Sequence, residues 1–476
     1  MKDKTPKTEL IRGLSLTAAI MIVAGSMIGS GIFRKPSVMA EQLGSPELLI
    51  LVWVAAGLIT LIAVLINAEM AGMMDATGGQ YVYLRKMYGD FTSYIYGWSI
   101  LSVIQTGSQA AIAYVFAEYI GYFVKLPQLS QAMQDFTLFM PLVGDIHPFI
   151  DFGTKAVAIL CIIFLTGVNY IGVVFGGVVQ TIVTYIKIIS ILAISFLLLF
   201  IGNGSMSNIF TGFSIHTSTS TNMITMIGLA FAGAFWAYDA WNNITFVSGE
   251  VKNPQRNVPR GLIFGTLIVI VVYVLINIAY LYVMPIDEMA KSPLVAASAA
   301  EKIFGTNGGA IISIAVIIST FGALNGSILA TARVPFAMAR ANIFFKSFEK
   351  VHPRFGTPHI ALIIQGIWSC ILVMSGSFDT ITDYVIFASW LFYMLGAFGV
   401  FILRKKMPDE PRPYKVWGYP VLPAIFVVFA FFFLVNSIVS DTENSMMGLM
   451  LILTGLPFYL FWKYGGKNKI KNMNKM

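Results

Sequence analysis

Two short stretches of this 476-residue sequence place helix-weakening and polar residues inside apolar runs. The first, GSMIGSGIF at residues 25–33, has three glycines and two serines within seven residues. The second, FWAYDAWNN at 235–243, holds an aspartate and two asparagines. A broken membrane helix exposes N–H groups where one half begins and C=O groups where the other ends. The N–H end attracts anions and the C=O end attracts cations. Two such breaks therefore predict a site for a small zwitterion such as an α-amino acid.

Glycine-rich stretches also mediate close packing between membrane helices. Here, however, the interruptions fall in the first and the sixth predicted span, each of which opens a block of five spans. Matching interruptions in two halves of a chain are typical of a transporter's central site. Because the second one also contains Asp239, we favour a binding site over simple packing.

The composition predicts an integral membrane protein. Hydrophobic residues make up 57% and charged residues only 11%, and the mean hydropathy is +0.77. A crossing helix needs about 20 apolar residues. We predict twelve all-α spans, at residues 14–40, 47–74, 91–124, 153–170, 173–202, 222–248, 260–284, 309–340, 357–376, 379–403, 419–438 and 444–463.

The basic residues predict the orientation. With a cytoplasmic N-terminus, 24 of the 31 lysines and arginines fall in segments on the cytoplasmic side and six on the other. This positive-inside bias predicts that both termini are cytoplasmic. The net charge of +8 is therefore read as an orientation signal, not as nucleic-acid binding.

The segments between spans are too short for a catalytic domain, so residues 1–476 form one membrane domain. We divide it into a first five-helix repeat (14–202), a second, inverted repeat (222–403) and a C-terminal part with spans 11 and 12 and a tail (404–476). The sequence has no HExxH motif and no GxSxG motif with a histidine partner, which argues against an enzyme. Cys161 and Cys370 lie in apolar runs and predict neither a disulfide nor a metal site; we expect no cofactor.

Several motifs resemble those of a known family. GSMIGSGIF resembles the first-span motif of the amino acid–polyamine–organocation (APC) transporters. FWAYDAWNNITFVSGEVKNPQRNVPRG, residues 235–261, resembles the span-6 signature of their L-type amino acid transporter (LAT) family. Two further stretches, at 67–84 and 319–340, fit the same family, and the resemblance covers spans 1 to 10 in order.

The resemblance implies a LeuT-like fold of two inverted five-helix repeats with helices 1 and 6 broken, plus two extra helices. It also implies amino acid transport, often by exchange. The substrate carboxylate would meet N–H groups near Ser30 and Gly31, with Gly29 allowing its approach. The ammonium would meet carbonyls of Met27, Trp236 and Asp239, and Trp236 would be an aromatic gate. The complete set of expected substrate-binding residues is Ser26, Met27, Gly29, Ser30, Gly31, Trp236, Ala237, Asp239 and Asn242.

Lys187 lies near the middle of span 5, where a charged residue is costly and functional by default. The resemblance matches it to a lysine that faces spans 1 and 8, where sodium-coupled members of the fold hold a sodium ion. We therefore expect the ammonium to replace sodium and to tie span 1 to span 8, through Ser319 or Thr320. Loss of its proton would instead permit proton coupling.

Two acidic residues leave alternatives open. The Asp239 carboxylate either pairs with a cationic substrate side chain or points away and caps the broken helix; we favour capping. Glu69, at the end of span 2, is expected to pair with a basic residue at the inner end of the protein. The candidates are Arg85, Lys252 and Arg256.

The motifs resemble most those of bacterial serine/threonine and alanine/serine/cysteine exchangers. The first hypothesis is therefore sodium-independent exchange of small neutral L-amino acids in the cell membrane. Alternatives are proton-coupled symport and exchange that accepts cationic amino acids; a membrane-embedded enzyme or a channel is least favoured, the channel because its filter would need symmetric assembly or repeated pore-lining charges. The segment 125–152 lacks the cysteine by which animal relatives bind a heavy chain, so we expect no disulfide-linked partner and a protein that works alone, as a monomer.

Overall fold

The computed structural model describes residues 12–74, 78–140, 144–171, 177–211 and 223–463, and most of them are helical. The α-helices, in chain order, are α1 Leu16–Met27, α2 Gly31–Leu43, α3 Pro46–Met73, α4 Gln80–Tyr88, α5 Asp90–Ser99, α6 Gln105–Ile120, α7 Gln131–Gln134, α8 Phe152–Ile171, α9 Gly177–Phe200, α10 Met223–Ala237, α11 Asn243–Phe246, α12 Pro254–Val283, α13 Ile286–Ala290, α14 Val295–Thr331, α15 Arg333–Arg340, α16 His359–Ser375, α17 Phe378–Lys406, α18 Val421–Ser440 and α19 Thr442–Leu453. A π-helical turn, Ile100–Ile104, joins α5 to α6. Between α7 and α8, β1 (Leu138–Met140) pairs antiparallel with β2 (Gly144–Ile146).

The predicted all-helical architecture is confirmed. Within the described ranges, nine helical segments are long and apolar enough to cross a bilayer, and the bent pair α1–α2 makes ten if it is one span. Two predicted spans, 222–248 and 357–376, contain shorter apolar helices, α10 and α16, of 15 and 17 residues. A straight helix of that length falls short of the hydrocarbon thickness of about 30 Å. The count of twelve crossings therefore stays a prediction; the predicted boundaries at 173 and 222 and the tail from 464 lie outside the described residues.

Local sequence sets several helix ends. The Ser15 hydroxyl accepts a hydrogen bond from the N–H of Ala18 and so caps α1. Ser45 caps α3 in the same way, and Pro46 follows it as the first helical residue. Gly44 ends α2 in the left-handed conformation, with φ 56°. Each is a residue type preferred at its position, because it satisfies or avoids the unpaired backbone groups of a helix end.

The two interrupted spans are packed into one bundle. α12 packs against α1, α3 and α9, and α10 packs against α2. Outside the helices, Leu14 pairs with the segment after α11: its N–H donates to Glu250 O, and the N–H of Lys252 donates to Leu14 O. We call the face that carries Leu14 and Val251 the N-terminal face, and the other the opposite face.

Candidate functional site

The first interrupted span contains a three-residue break. α1 ends at Met27 and α2 begins at Gly31, with a bend of 41° between them. The last C=O groups of one helix and the first N–H groups of the next lack partners within their own helices. A Cβ added at Gly29 would meet nothing closer than Met27 O, at 3.9 Å. The break therefore offers both kinds of backbone group and leaves room for a ligand at Gly29.

The second interrupted span breaks where α10 ends at Ala237, and the helix resumes at Asn243. Within the break, Ala240 has φ 65°. This left-handed conformation costs an L-residue with a side chain about 1–2 kcal/mol. Backbone strain of this kind clusters at functional sites, where the surrounding structure holds it in place.

The two breaks touch each other. A Cβ at Gly31 would lie 2.5 Å from the Cα of Ala237, so only glycine permits this contact. The buried Tyr273 hydroxyl, on α12, lies 2.7 Å from Met27 O and 3.2 Å from Ala237 O, and it donates its one hydrogen to this pair of carbonyls. Tyr273 thus joins the end of α1 to the end of α10, a role that the sequence did not reveal.

A cavity leads from the breaks to one face of the protein. It has a volume of about 160 Å³ and is bounded by α1, α6, α14 and the segment around α11. Ser26 and Ala240 line it at the breaks, and Leu14, Glu250 and Arg333 line it at the N-terminal face. Of the expected binding residues, Ser26 lines this cavity, and Ala240 brings the second break to it as well.

On the side of the site toward the opposite face, aromatic contacts and ion pairs join α10 and α2 to α17. Trp236 makes an edge contact with Phe378 of α17, with ring centroids 6.0 Å apart. The Lys35 ammonium lies 5.0 Å from the Phe378 centroid and 2.7 Å from an oxygen of Asp379. A second carboxylate, of Asp383, lies 3.7 Å from the same ammonium. Lys35 is buried, so these contacts fasten α2 to α17 beside the expected gate residue.

Lys187 contacts the first break directly. Its buried ammonium donates to the carbonyl of Ile28 over 3.3 Å. Neither expected span-8 partner bonds it: the Thr320 hydroxyl donates to its own helix, and the Ser319 hydroxyl has no partner in the described part of the chain. Both α9 and α14 line a cavity of about 180 Å³ that includes Lys187 and Ser319. The structure therefore ties Lys187 to span 1 without a hydrogen bond to span 8.

The polar residues of the second break are fixed to other helices. The Asp239 carboxylate accepts a hydrogen bond of 2.6 Å from the Tyr393 hydroxyl on α17, a partner that neither sequence interpretation named. Asn242 donates to the side-chain oxygen of Gln80 over 3.3 Å, and Gln80 donates to Phe392 O. Asp239 and Asn242 thus anchor the break to α17 and α4.

The prediction that Glu69 pairs with Arg85, Lys252 or Arg256 is wrong. The buried Glu69 carboxylate is held in a bidentate contact by Arg404, at 2.9 and 2.7 Å, and it also pairs with Arg412. The N–H of Val416 donates to it as well. α3 and α17 end on the same face, so the last turn of α17 and the loop after it, not the segments near span 2, supply these groups. Arg85 pairs with Asp90 instead.

Comparison with known proteins gives a consistent family. The model of the amino acid permease family matches residues 14–456. The chain is 32% identical to the serine/threonine exchanger of Bacillus subtilis (strain 168), covering 98% of this chain and 99% of the exchanger. It is 30% identical to the b(0,+)-type amino acid transporter 1 of Mus musculus, over 97% of this chain and 91% of that protein. It is 31% identical to the large neutral amino acids transporter small subunit 2 of Oryctolagus cuniculus, over 96% of this chain and 82% of that protein.

These relatives are named as exchangers or transporters of amino acids, in agreement with the absence of catalytic motifs from the sequence. The matches extend over nearly the whole chain and include both interrupted spans. The chain therefore belongs to the amino acid permease family of the APC superfamily, the membrane transporters of amino acids.

Proposed function

We propose that this protein exchanges small neutral L-amino acids across the cell membrane by alternating access and without sodium. One observation carries the proposal: two helix breaks touch each other at Gly31 and Ala237, and a cavity that reaches the N-terminal face is lined by Ser26 beside the first break and Ala240 in the second. Similarity to a serine/threonine exchanger over almost the full length supports the substrate class and the exchange mechanism.

In this proposal backbone groups bind the two charges common to all α-amino acids. The carboxylate accepts hydrogen bonds from N–H groups near Ser30 and Gly31 and passes the open side of Gly29. The ammonium meets the carbonyls of Met27, Trp236 and Asp239. Tyr273 already donates to Met27 O, but a carbonyl oxygen has a second lone pair. Because both charged groups bind backbone dipoles, the side chain of the substrate is left for separate recognition.

The architecture of the proposal is LeuT-like, with twelve spans and two inverted five-helix repeats. The breaks after α1 and within span 6 support it, since each opens one of the repeats. With both termini in the cytoplasm, as the charge bias favours, the N-terminal face is cytoplasmic. The cavity then faces inward, and the Lys35 and Trp236 contacts lie on the outer side of the site.

Two features favour sodium-independent transport of neutral substrates. The Lys187 ammonium is bonded to the Ile28 carbonyl of the first break and supplies a fixed positive charge there. The Asp239 carboxylate is bonded to Tyr393, which favours an anchoring role over pairing with a cationic substrate. Proton-coupled symport and the exchange of cationic amino acids remain the alternatives to be tested.

Counterflow in proteoliposomes tests the proposal. The purified chain, without any partner subunit, is reconstituted into vesicles that are either empty or loaded with unlabelled serine, and uptake of labelled serine is measured in sodium or choline buffer. We expect uptake that requires internal serine and is equal in the two buffers. Uptake into empty vesicles driven by an acidic exterior would instead establish proton symport, and strong competition by arginine would establish cationic substrates.

A further inference from the structure

One amide side chain faces the cavity beside the breaks and is not accounted for by the proposed backbone site. Gln105, at the first position of α6, lines the cavity that also contains Ser26 and Ala240. Its side chain is buried within the bundle, with 5% relative exposure. Because the charged ends of the substrate bind backbone groups, a polar side chain at this place is free to contact the variable part of the substrate.

The π-helical turn Ile100–Ile104 presents this residue to the cavity. The N–H of Gln105 closes the turn by donating to Ile100 O, five residues earlier. Gln105, Ser108 and Ile112 then share one face of α6, at helical spacings of three and four residues, and all three line the cavity. Single π turns within helices are frequent at functional sites, since they change which side chains face a ligand.

The hydrogen bonds of Gln105 leave one group unused. Its side-chain oxygen accepts from the hydroxyls of Ser327 and Thr331, at 3.4 and 3.3 Å, which fills both lone pairs. Its NH₂ group donates one hydrogen to Asn243, at 3.3 Å. The second hydrogen has no partner among the described residues. All three bonds are long, since the usual distance is about 2.9–3.0 Å for an N–H···O contact and about 2.7–2.8 Å for the two O–H···O contacts, so the amide can adjust to a ligand.

We propose that Gln105 determines side-chain specificity, through this free N–H, for small neutral amino acids whose side chain carries a hydrogen-bond acceptor. The inference rests on the proposed function and names the substrate class of that same site. A serine or threonine hydroxyl accepts the hydrogen, whereas an ammonium or guanidinium side chain only donates and meets an oxygen already filled by two hydroxyls. The volume, about 160 Å³, suits a small side chain, since a cavity of about 150 Å³ accommodates benzene.

Ser108 supplies a matched control one turn further along α6. It lines the same cavity, but its hydroxyl donates to Ile104 O of its own helix, at 2.7 Å. Removing this hydroxyl therefore changes the cavity wall without removing the free donor. An effect of Gln105 that Ser108 does not share is due to the amide.

Threonine and valine provide the test, because they have nearly the same shape and differ by a hydroxyl in place of a methyl group. Exchange of labelled alanine is measured in alanine-loaded proteoliposomes with unlabelled threonine or valine as competitor. We expect the wild type to prefer threonine, and Gln105→Leu to reduce the valine-to-threonine ratio of half-inhibitory concentrations by about three- to tenfold, the contribution of one neutral hydrogen bond. Ser108→Ala is expected to retain the wild-type ratio.

A second variant keeps the inference testable if Gln105→Leu does not fold. Thr331→Val frees one lone pair of the Gln105 oxygen, which then accepts from the threonine hydroxyl, so preference for threonine should increase by a similar factor. If the Gln105→Leu protein is active and its valine-to-threonine ratio equals that of the wild type, the inference is overturned. If Gln105→Leu is inactive, an unchanged ratio in Thr331→Val overturns it. If the wild type itself exchanges no alanine, it is the proposed function that fails.

Discussion

Replacing Lys187 by methionine tests how the first break is stabilised. The variant retains an unbranched side chain but removes the ammonium that donates to Ile28 O. A hydrogen bond to a charged group contributes about 1.5–3 kcal/mol. The distance of 3.3 Å lies just beyond the usual range of about 2.7–3.2 Å, which favours the lower value, about 1.5 kcal/mol. Because about 1.4 kcal/mol corresponds to a factor of ten, we expect the apparent affinity for substrate in exchange to fall about tenfold.

Two measurements distinguish this role from a general structural one. A charge buried without a counter-ion is costly, so the purified Lys187→Met protein should be as thermally stable as the wild type, or more stable, while exchange in sodium-free buffer falls. Lys155→Met is the matched control, since Lys155 is also buried but donates to the carbonyls of His147 and Pro148, away from the breaks. Because Lys155 makes two hydrogen bonds and also interacts favourably with the Asp151 carboxylate, Lys155→Met should lower thermal stability without changing apparent affinity. Unchanged sodium-free exchange in Lys187→Met would refute the reasoning, whereas sodium-dependent exchange in Lys187→Ala would show that the ammonium replaces a cation.

Three further variants test other contacts. Gly31→Ala places a Cβ 2.5 Å from the Cα of Ala237, so counterflow should be abolished, and wild-type rates would contradict the contact between the breaks. Glu69→Gln leaves two arginines facing a neutral amide and should lower the free energy of unfolding by about 3 kcal/mol. Removing one partner from a buried ion pair costs about 3–5 kcal/mol, and the lower value applies because one of the arginines is partly exposed. An unchanged melting temperature in detergent would show that the pair is dispensable. Tyr393→Phe releases the Asp239 carboxylate, so arginine should compete more strongly with serine uptake, and equal competition would show that the tyrosine does not mask it.

The sequence located the first break because its cause is local. Gly29 and Gly31 lower helix stability wherever they occur, and α1 ends just before them. The apolar runs likewise identify the helices, since each needs only its own residues to form its backbone hydrogen bonds. The number of crossings was harder to predict, because α10 and α16 are shorter than the apolar runs that contain them.

Contacts between distant parts of the chain were not predictable in the same way. The partner of Glu69, Arg404, lies 335 residues further along the chain, and only the packing of α3 and α17 brings them together. Tyr273 is one tyrosine in a long apolar run, with no local signal that its hydroxyl faces two broken helices. For Gln105, the preceding π turn changes the register of the helix, so a regular 3.6-residue periodicity assigns the wrong face.

The pairing of Leu14 with the segment after α11 has a mechanical consequence. Swinging α1 away on its own would break two backbone hydrogen bonds, at a cost of about 1–3 kcal/mol, and would also separate Met27 from the hydroxyl it shares with Ala237. Moving α12 together with both interrupted spans breaks none of these bonds, since Tyr273 lies on α12. The two interrupted spans and α12 are therefore expected to move as one rigid body, and spin labels on α1 and on α12 should report the same displacement.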